Sequence, residues 1–339
     1  MNVDYKTKTA IRLDMTRNSV DTRKQASRLG LFRSAFLMMV VLVGVSFYRL
    51  FLEARKSVFF GGRVNLVLSR PFMVASFDEQ SGSLTLVPVP KEILMNLPFG
   101  MRGFRAETVA NLGVQEGKGE AIVVDAIELT WGILVDGWLG EGGDVGLGFE
   151  VGEGKKIVRI PILKRLGWLV NSRGSISLWD RIRLLRKVSK VRPDRLVILD
   201  VENSSLGTKG VDPDGHEVIS VDPDKAVAVF SGLFSDLRIV EEGFTVSVLN
   251  GTGYPGLAHL VGAMLKTSGV RVVFEGETSG FSARCEVRTM KGLAKSYTAV
   301  RIMKWLKCDR IVETDTGRND IEVIAGTKLG EYMMGEMGF

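Results

Sequence analysis

The sequence predicts an α+β protein carried on a single N-terminal transmembrane helix. Three observations lead there. Residues 34–52 form an apolar run entered through a basic segment. From Gly61 onward, short strand-like runs alternate with turn residues and helical spacings. Roughly the last hundred residues read strand–helix–strand–strand–helix–strand, the order of a βαββαβ sandwich with two helices on one face of a sheet.

The first segment, 1–33, carries Lys6, Lys8, Arg12, Arg17, Arg23, Lys24, Arg28 and Arg33 against Asp4, Asp14 and Asp21. It has no durable apolar periodicity and reads as a basic tail without a core of its own. Residues 35–47 then contain no charge, no proline and one glycine, Gly44. About 19 residues at 1.5 Å each give roughly 29 Å of helix, close to the thickness of a bilayer core. Arg49 sits near the end of the run, where its long stem lets the charge reach the headgroups. The run is long for a signal peptide, and Glu53-Ala54-Arg55-Lys56 offers no small-residue cleavage site, so the helix 34–52 reads as an uncleaved anchor. The basic excess places the tail in the cytoplasm. The remaining ~285 residues, enough for two small domains, are then extracytoplasmic, on a single-pass plasma-membrane protein.

After the anchor, 63–68, 73–77 and 84–89 read as short strands, with Asp78-Glu79-Gln80-Ser81-Gly82 as turn chemistry between the last two. Residues 105–111 and 120–134 have helical spacing; Ala121, Val124, Ile127, Trp131 and Leu134 share a face. A glycine-rich stretch, 137–154, breaks the pattern before a short strand at 157–162. Ser177 reads as the N-cap of a helix 178–190, with Leu178, Ile182 and Leu185 on one side. Arg181, Arg183, Arg186, Lys187 and Lys190 form the other side, a face for solvent, anionic headgroups or a phosphorylated glycan. A strand at 195–201, turns at 212–215 and 222–224, and a helix at 226–233 follow.

The last unit runs strand 244–249, turn 250–253, helix 256–267, strands 270–275 and 284–289, helix 294–306 and strand 321–325. Domain limits are accordingly 1–33, 34–52, 57–240 and 243–330. The composition, 45% apolar and 25% charged, is that of a folded chain. The net charge of +6 resides largely in the tail, which argues against nucleic acid as a partner. Cys285 and Cys308, the only two cysteines, permit one disulfide outside the membrane, and a bridge between them is the reading adopted. Two histidines, His216 and His259, are too few and too scattered for a Cys/His metal site.

Val246-Ser247-Val248-Leu249-Asn250-Gly251-Thr252-Gly253, then Gly256-Leu257-Ala258 opening a helix, then Ile321-Glu322-Val323-Ile324-Ala325-Gly326, resemble the C-terminal domain of the LytR-CpsA-Psr family. Ser69-Arg70, the run 73–78 and the run 83–92 are similar to a shortened, degenerate form of that family's catalytic domain, at about 63–140. The resemblance implies a cell-envelope protein. In active members these motifs hold a polyprenyl-pyrophosphate glycopolymer and a divalent metal, and the polymer is transferred to peptidoglycan. Arg70, Lys91 and Glu92 are the residues to which those roles carry over. Here the family's Arg-Asp pair has become Lys91-Glu92, and Pro71-Phe72 replaces an acidic position. Lysine lacks the planar fork that grips a phosphate twice, and a Mg²⁺ site loses a carboxylate.

The expectation is therefore a non-catalytic envelope module that uses no cofactor. Its partners would be the bilayer and a cell-wall glycan such as peptidoglycan, a glycopolymer or another envelope protein. The alternative is a glycopolymer transferase using Mg²⁺. Asn250, Gly251, Thr252 and Gly253, a glycine-rich turn at a helix start, are the candidate ligand-binding residues in the last domain.

Overall fold

The computed structural model describes residues 36–46, 48, 57, 61–69, 72–115, 121–140, 149–151, 157–159, 173–317 and 319–335. The chain divides into two compact units, Met1–Lys56 and Ser57–Phe339. In the first, residues 36–46 are helical and exposed, the rest of the expected anchor lying outside the described residues. Among the described residues no helix is long and apolar enough to cross a membrane.

The second unit contains two five-stranded sheets. The strands of its first half are β1 (Arg63–Ser69), β2 (Phe72–Asp78), β3 (Leu84–Pro88), β4 (Leu94–Met95), β5 (Phe104–Arg105), β6 (Gly137–Leu139), β7 (Phe149–Val151), β8 (Ile157–Arg159) and β9 (Leu196–Ile198). The first sheet has the order β6-β1-β2-β3-β9, with antiparallel neighbours at its centre and a parallel strand at each edge. Both faces are covered. Val67, Val74 and Val87 belong to one core with helices α1 (Ala106–Gln115) and α2 (Ala121–Trp131). Leu66, Leu68, Ala75, Leu84 and Leu86 belong to another core with Leu184 and Val188 of helix α3 (Leu178–Val188). Double coverage is why these strands read as nearly continuous apolar runs rather than as alternation.

A hairpin of β10 (Gly207–Val211) and β11 (Glu217–Val221) turns at Asp212–Gly215. The stretch expected as a turn at 222–224 instead starts helix α4 (Pro223–Phe234). Asp222 is its N-cap, accepting from the Asp224 and Lys225 amides, with Pro223 at a first-turn position where its missing N–H costs nothing. Helix α5 (Leu237–Glu242) follows.

The last region contains β12 (Thr245–Asn250), helix α6 (Leu257–Thr267), β13 (Arg271–Glu277), β14 (Glu286–Thr289), helix α7 (Tyr297–Trp305), β15 (Arg310–Glu313), β16 (Ile321–Ala325) and helix α8 (Thr327–Met334). It differs from the expected βαββαβ sandwich in two respects. The short strand β15 and the terminal helix α8 are additional. The sheet order is β13-β12-β16-β14-β15, so β12 and β13 are adjacent and parallel across α6 rather than split by an intervening strand. Val246, Val248, Val287 and Val323 pack with Val261, Leu265, Ala299 and Ile302 in one core, joined by Leu129 and Leu134 from the first half.

Candidate anion-binding cavity

Helix α3 is built by local rules. The Ser177 side chain accepts from the Asp180 amide at 3.1 Å, and Arg186 and Lys187 occupy the last turn, where cations complement the helix dipole. Because Leu184 and Val188 face the first sheet, the cationic side chains project the other way. The chain leaves α3 through Val191 and a single 3-10 turn, Pro193–Arg195, into the edge strand β9.

This arrangement encloses a cavity of about 560 Å³ between α3, the end of β2 and the turn before β3. Phe77, Trp179, Ile182 and Val191 supply apolar wall, and Arg183, Arg186, Lys187, Lys190, Arg192 and Arg195 supply six cations. Among the described residues Glu79 is the single carboxylate lining it, held by Arg183 at 3.2 Å and Lys187 at 2.9 Å. Arg192 pairs with exposed Asp194, and Arg195 donates to the Ser81 carbonyl. Arg186 and Lys190 have no carboxylate partner among the described residues. A half-open basic cavity with an apolar wall is suited to a phosphate-bearing ligand.

Lys91 and Glu92, two of the sequence-derived candidates, lie elsewhere. Lys91 is exposed and Glu92 half-buried, in the segment after β3, at the end of that strand remote from Gly82 and the cavity. Five strand residues alone span roughly 17 Å. Arg70 lies outside the described residues. Among the described residues no group of three or more His, Cys, Asp or Glu side chains is placed to hold a metal ion.

The turn Asn250–Gly253 directs its polar groups inward. Asn250 Oδ1 accepts from the Thr252 amide at 3.0 Å and the Thr252 hydroxyl at 2.6 Å; its Nδ2 donates to the Tyr254 carbonyl and to Glu277. The Gly251 amide donates to the Ala325 carbonyl at 2.9 Å. A Cβ at Gly251 would come within 2.9 Å of Ser282 Cβ, which explains the glycine by close packing. Gly256 caps α6 at φ +83°, a left-handed conformation that favours glycine.

Cys285 and Cys308 form a disulfide, tying the segment before β14 to the end of α7. His216 is exposed at the β10–β11 turn, and His259 Nδ1 lies 3.0 Å from Glu275 Oε2.

A second cluster of charges joins the two sheets. Arg301 of α7 binds Asp136 through both guanidinium nitrogens, at 2.6 and 3.2 Å, and donates to the Arg63 carbonyl at 2.9 Å. Trp305 Nε1 donates to Asp136 at 3.1 Å, and the Arg301 guanidinium lies 4.1 Å above the Trp305 ring. Arg63 in turn donates to Asp78, Ser76 and the carbonyls of Leu233 and Ser235. Asp236 accepts from the Arg63 amide and the Tyr297 hydroxyl. Burial lowers the Arg63 pKa; at Arg301 burial is the largest single effect and also lowers it, but Asp136, Tyr297 and Asp236 together outweigh it and raise the pKa. Nearby Glu128 is pushed up to about 8, chiefly by burial, against the lowering effect of the Val135 amide it accepts from.

Residues 243–328 match the model of the family described as LytR cell envelope-related transcriptional attenuator. The C-terminal quarter of the chain is thus a LytR C-terminal domain. Among solved structures, the chain matches the Bacillus subtilis transcriptional regulator yvhJ at 11% identity and TM-score 0.38, over 52% of this chain and 97% of that one. It also matches B. subtilis TagV at 11% identity and TM-score 0.35, over 50% and 95% of the two chains. B. subtilis TagT matches at 13% identity and TM-score 0.35, over 50% and 88%. No curated protein matches the chain.

Proposed function

We propose that this chain is a bitopic cell-envelope protein. Its tail 1–33 lies in the cytoplasm, 34–52 spans the plasma membrane, and the unit from Ser57 binds phosphate-bearing envelope molecules, such as a wall glycopolymer, without turning them over. The observation that carries the reading is the α3 cavity, which among the described residues is lined by six cations against one carboxylate beside an apolar wall. The match of residues 243–328 to a cell-envelope domain supports the compartment. The charge and length of the N-terminal segments support the anchor.

Co-sedimentation of the full-length protein, in nonionic detergent, with isolated wall material tests this. Binding is expected to fall when phosphate-bearing polymer is stripped from the wall. No binding to either preparation, by protein shown to be folded, would contradict it. Transfer of a lipid-linked glycopolymer to peptidoglycan in the presence of Mg²⁺ would contradict the non-catalytic part alone.

A further inference from the structure

Helix α3 presents two chemistries side by side on its outer surface. Its first turns expose Leu178, Trp179 and Ile182, at 41, 45 and 40% of full accessibility. Its last turn carries Arg186, and Lys190 follows just past its C-cap; both lack carboxylate partners among the described residues. A soluble polyanion would engage the cations and leave the apolar side chains in water. An exposed tryptophan and isoleucine beside cations match a ligand with an anionic head and a hydrocarbon body. Position points the same way. Ser57, which follows the apolar run 34–52 by five positions in sequence, donates to Asp180 in the first turn of α3 at 2.5 Å. The exposed apolar turn is therefore the one tied to the start of the exterior unit.

We propose that the α3 cavity is a binding site for an anionic phospholipid of the membrane. Arg186 and Lys190 take the phosphate, and Trp179 and Ile182 lie along the hydrocarbon. Each cation near an anionic headgroup strengthens the contact, and the indole ring suits the boundary between headgroup and chain. The site lies at the opposite end of β3 from Lys91 and Glu92 and shares no residue with them. This deepens the proposed function and rests on its phosphate-binding cavity and its membrane tether.

The test uses full-length protein in nonionic detergent, titrated with phosphatidylglycerol or phosphatidylcholine carrying brominated acyl chains. A third titrant is a soluble poly(glycerol phosphate). Bromine quenches tryptophan only at short range, so Trp179 reports on hydrocarbon in the cavity. Brominated phosphatidylglycerol is expected to quench a component of the emission that Trp179→Phe lacks, and phosphatidylcholine is not. Arg186→Glu with Lys190→Glu should weaken that binding by at least about 30-fold while leaving the thermal midpoint near wild type. Equal quenching by both lipids overturns the proposal, because headgroup charge then plays no part. Displacement of phosphatidylglycerol by the soluble polymer at equal phosphate concentration overturns the lipid assignment but leaves the phosphate-binding reading standing. Failure of every phosphate-bearing probe overturns both.

Discussion

Two clusters of basic residues in this protein do opposite jobs. At the junction between the sheets, Arg301 and Asp136 have side chains only 1% and 0% exposed, and tyrosine, tryptophan and backbone groups surround them. In the α3 cavity, Arg186 and Lys190 are exposed and have no carboxylate partner among the described residues. The residue types are alike and the environments are not. A buried guanidinium held by a carboxylate is committed to the fold, because losing one partner strands the other charge. A cation in a half-open pocket remains available to a ligand. The difference also bears on the C-terminal domain. Tied to the first half by Arg301–Asp136 and by the shared core at Leu129 and Leu134, it is part of one compact unit rather than a loosely attached module.

The sharpest way to break the comparison is Arg301→Ala. Asp136 would be left buried opposite Trp305, and a loss of about 3–5 kcal/mol in unfolding free energy is expected from denaturant titration. Removing the Cys285–Cys308 bridge by a double alanine substitution should cost about 2–4 kcal/mol. Thiol labelling of the unreduced, denatured wild type should find no free cysteine; two reactive thiols would contradict the bridge.

Glu128 sharpens the junction side through pH. Its folded pKa, near 8, lies above that of the unfolded chain, so between those values the folded state holds the proton that the unfolded state has lost. Stability should therefore fall as pH rises from about 4.5 through 8. Glu128→Gln removes this penalty. It should be more stable than wild type by about 1–3 kcal/mol at pH 8.5, with the gap closing near pH 5, as read from thermal midpoints at the two pH values. The smallest effect on stability belongs to the cavity. Arg186→Glu with Lys190→Glu should change unfolding free energy by less than about 0.5 kcal/mol, because both side chains are exposed and neither has a carboxylate partner among the described residues.

How much of this was legible in the sequence follows the same division between local and distant causes. Strands β1 to β3 were readable because burial on both faces leaves unbroken apolar runs, and α3 because Ser177 caps it. The β10–β11 hairpin showed only its turn, since Gly207–Val211 is polar, glycine-containing and mostly exposed. Strand β15, four residues with charges at both ends, and helix α8 left no periodicity long enough to detect. The cations of α3 were legible as one face of a helix. That they border a cavity was not, because Phe77 reaches it from the end of β2, Glu79 and Gly82 from the turn before β3, and Arg195 from the 3-10 turn before β9. Trp131 is buried and Trp179 exposed, because the helix that carries Trp179 buries its other side. The junction was invisible for a simpler reason: Arg301 and Asp136 are 165 positions apart.

The most direct measurement is calorimetric titration of full-length protein, in nonionic detergent, with phosphatidylglycerol. Wild type, Arg186→Glu/Lys190→Glu and Arg301→Ala are compared at low and high salt. The expected result is saturable binding to wild type that weakens with salt and is lost in the cavity variant, whose unfolding midpoint stays unchanged, while Arg301→Ala loses stability first. Undiminished binding in the cavity variant, or a collapse of its stability like that of Arg301→Ala, would contradict the division between a cluster that holds the fold and a cluster that holds a ligand.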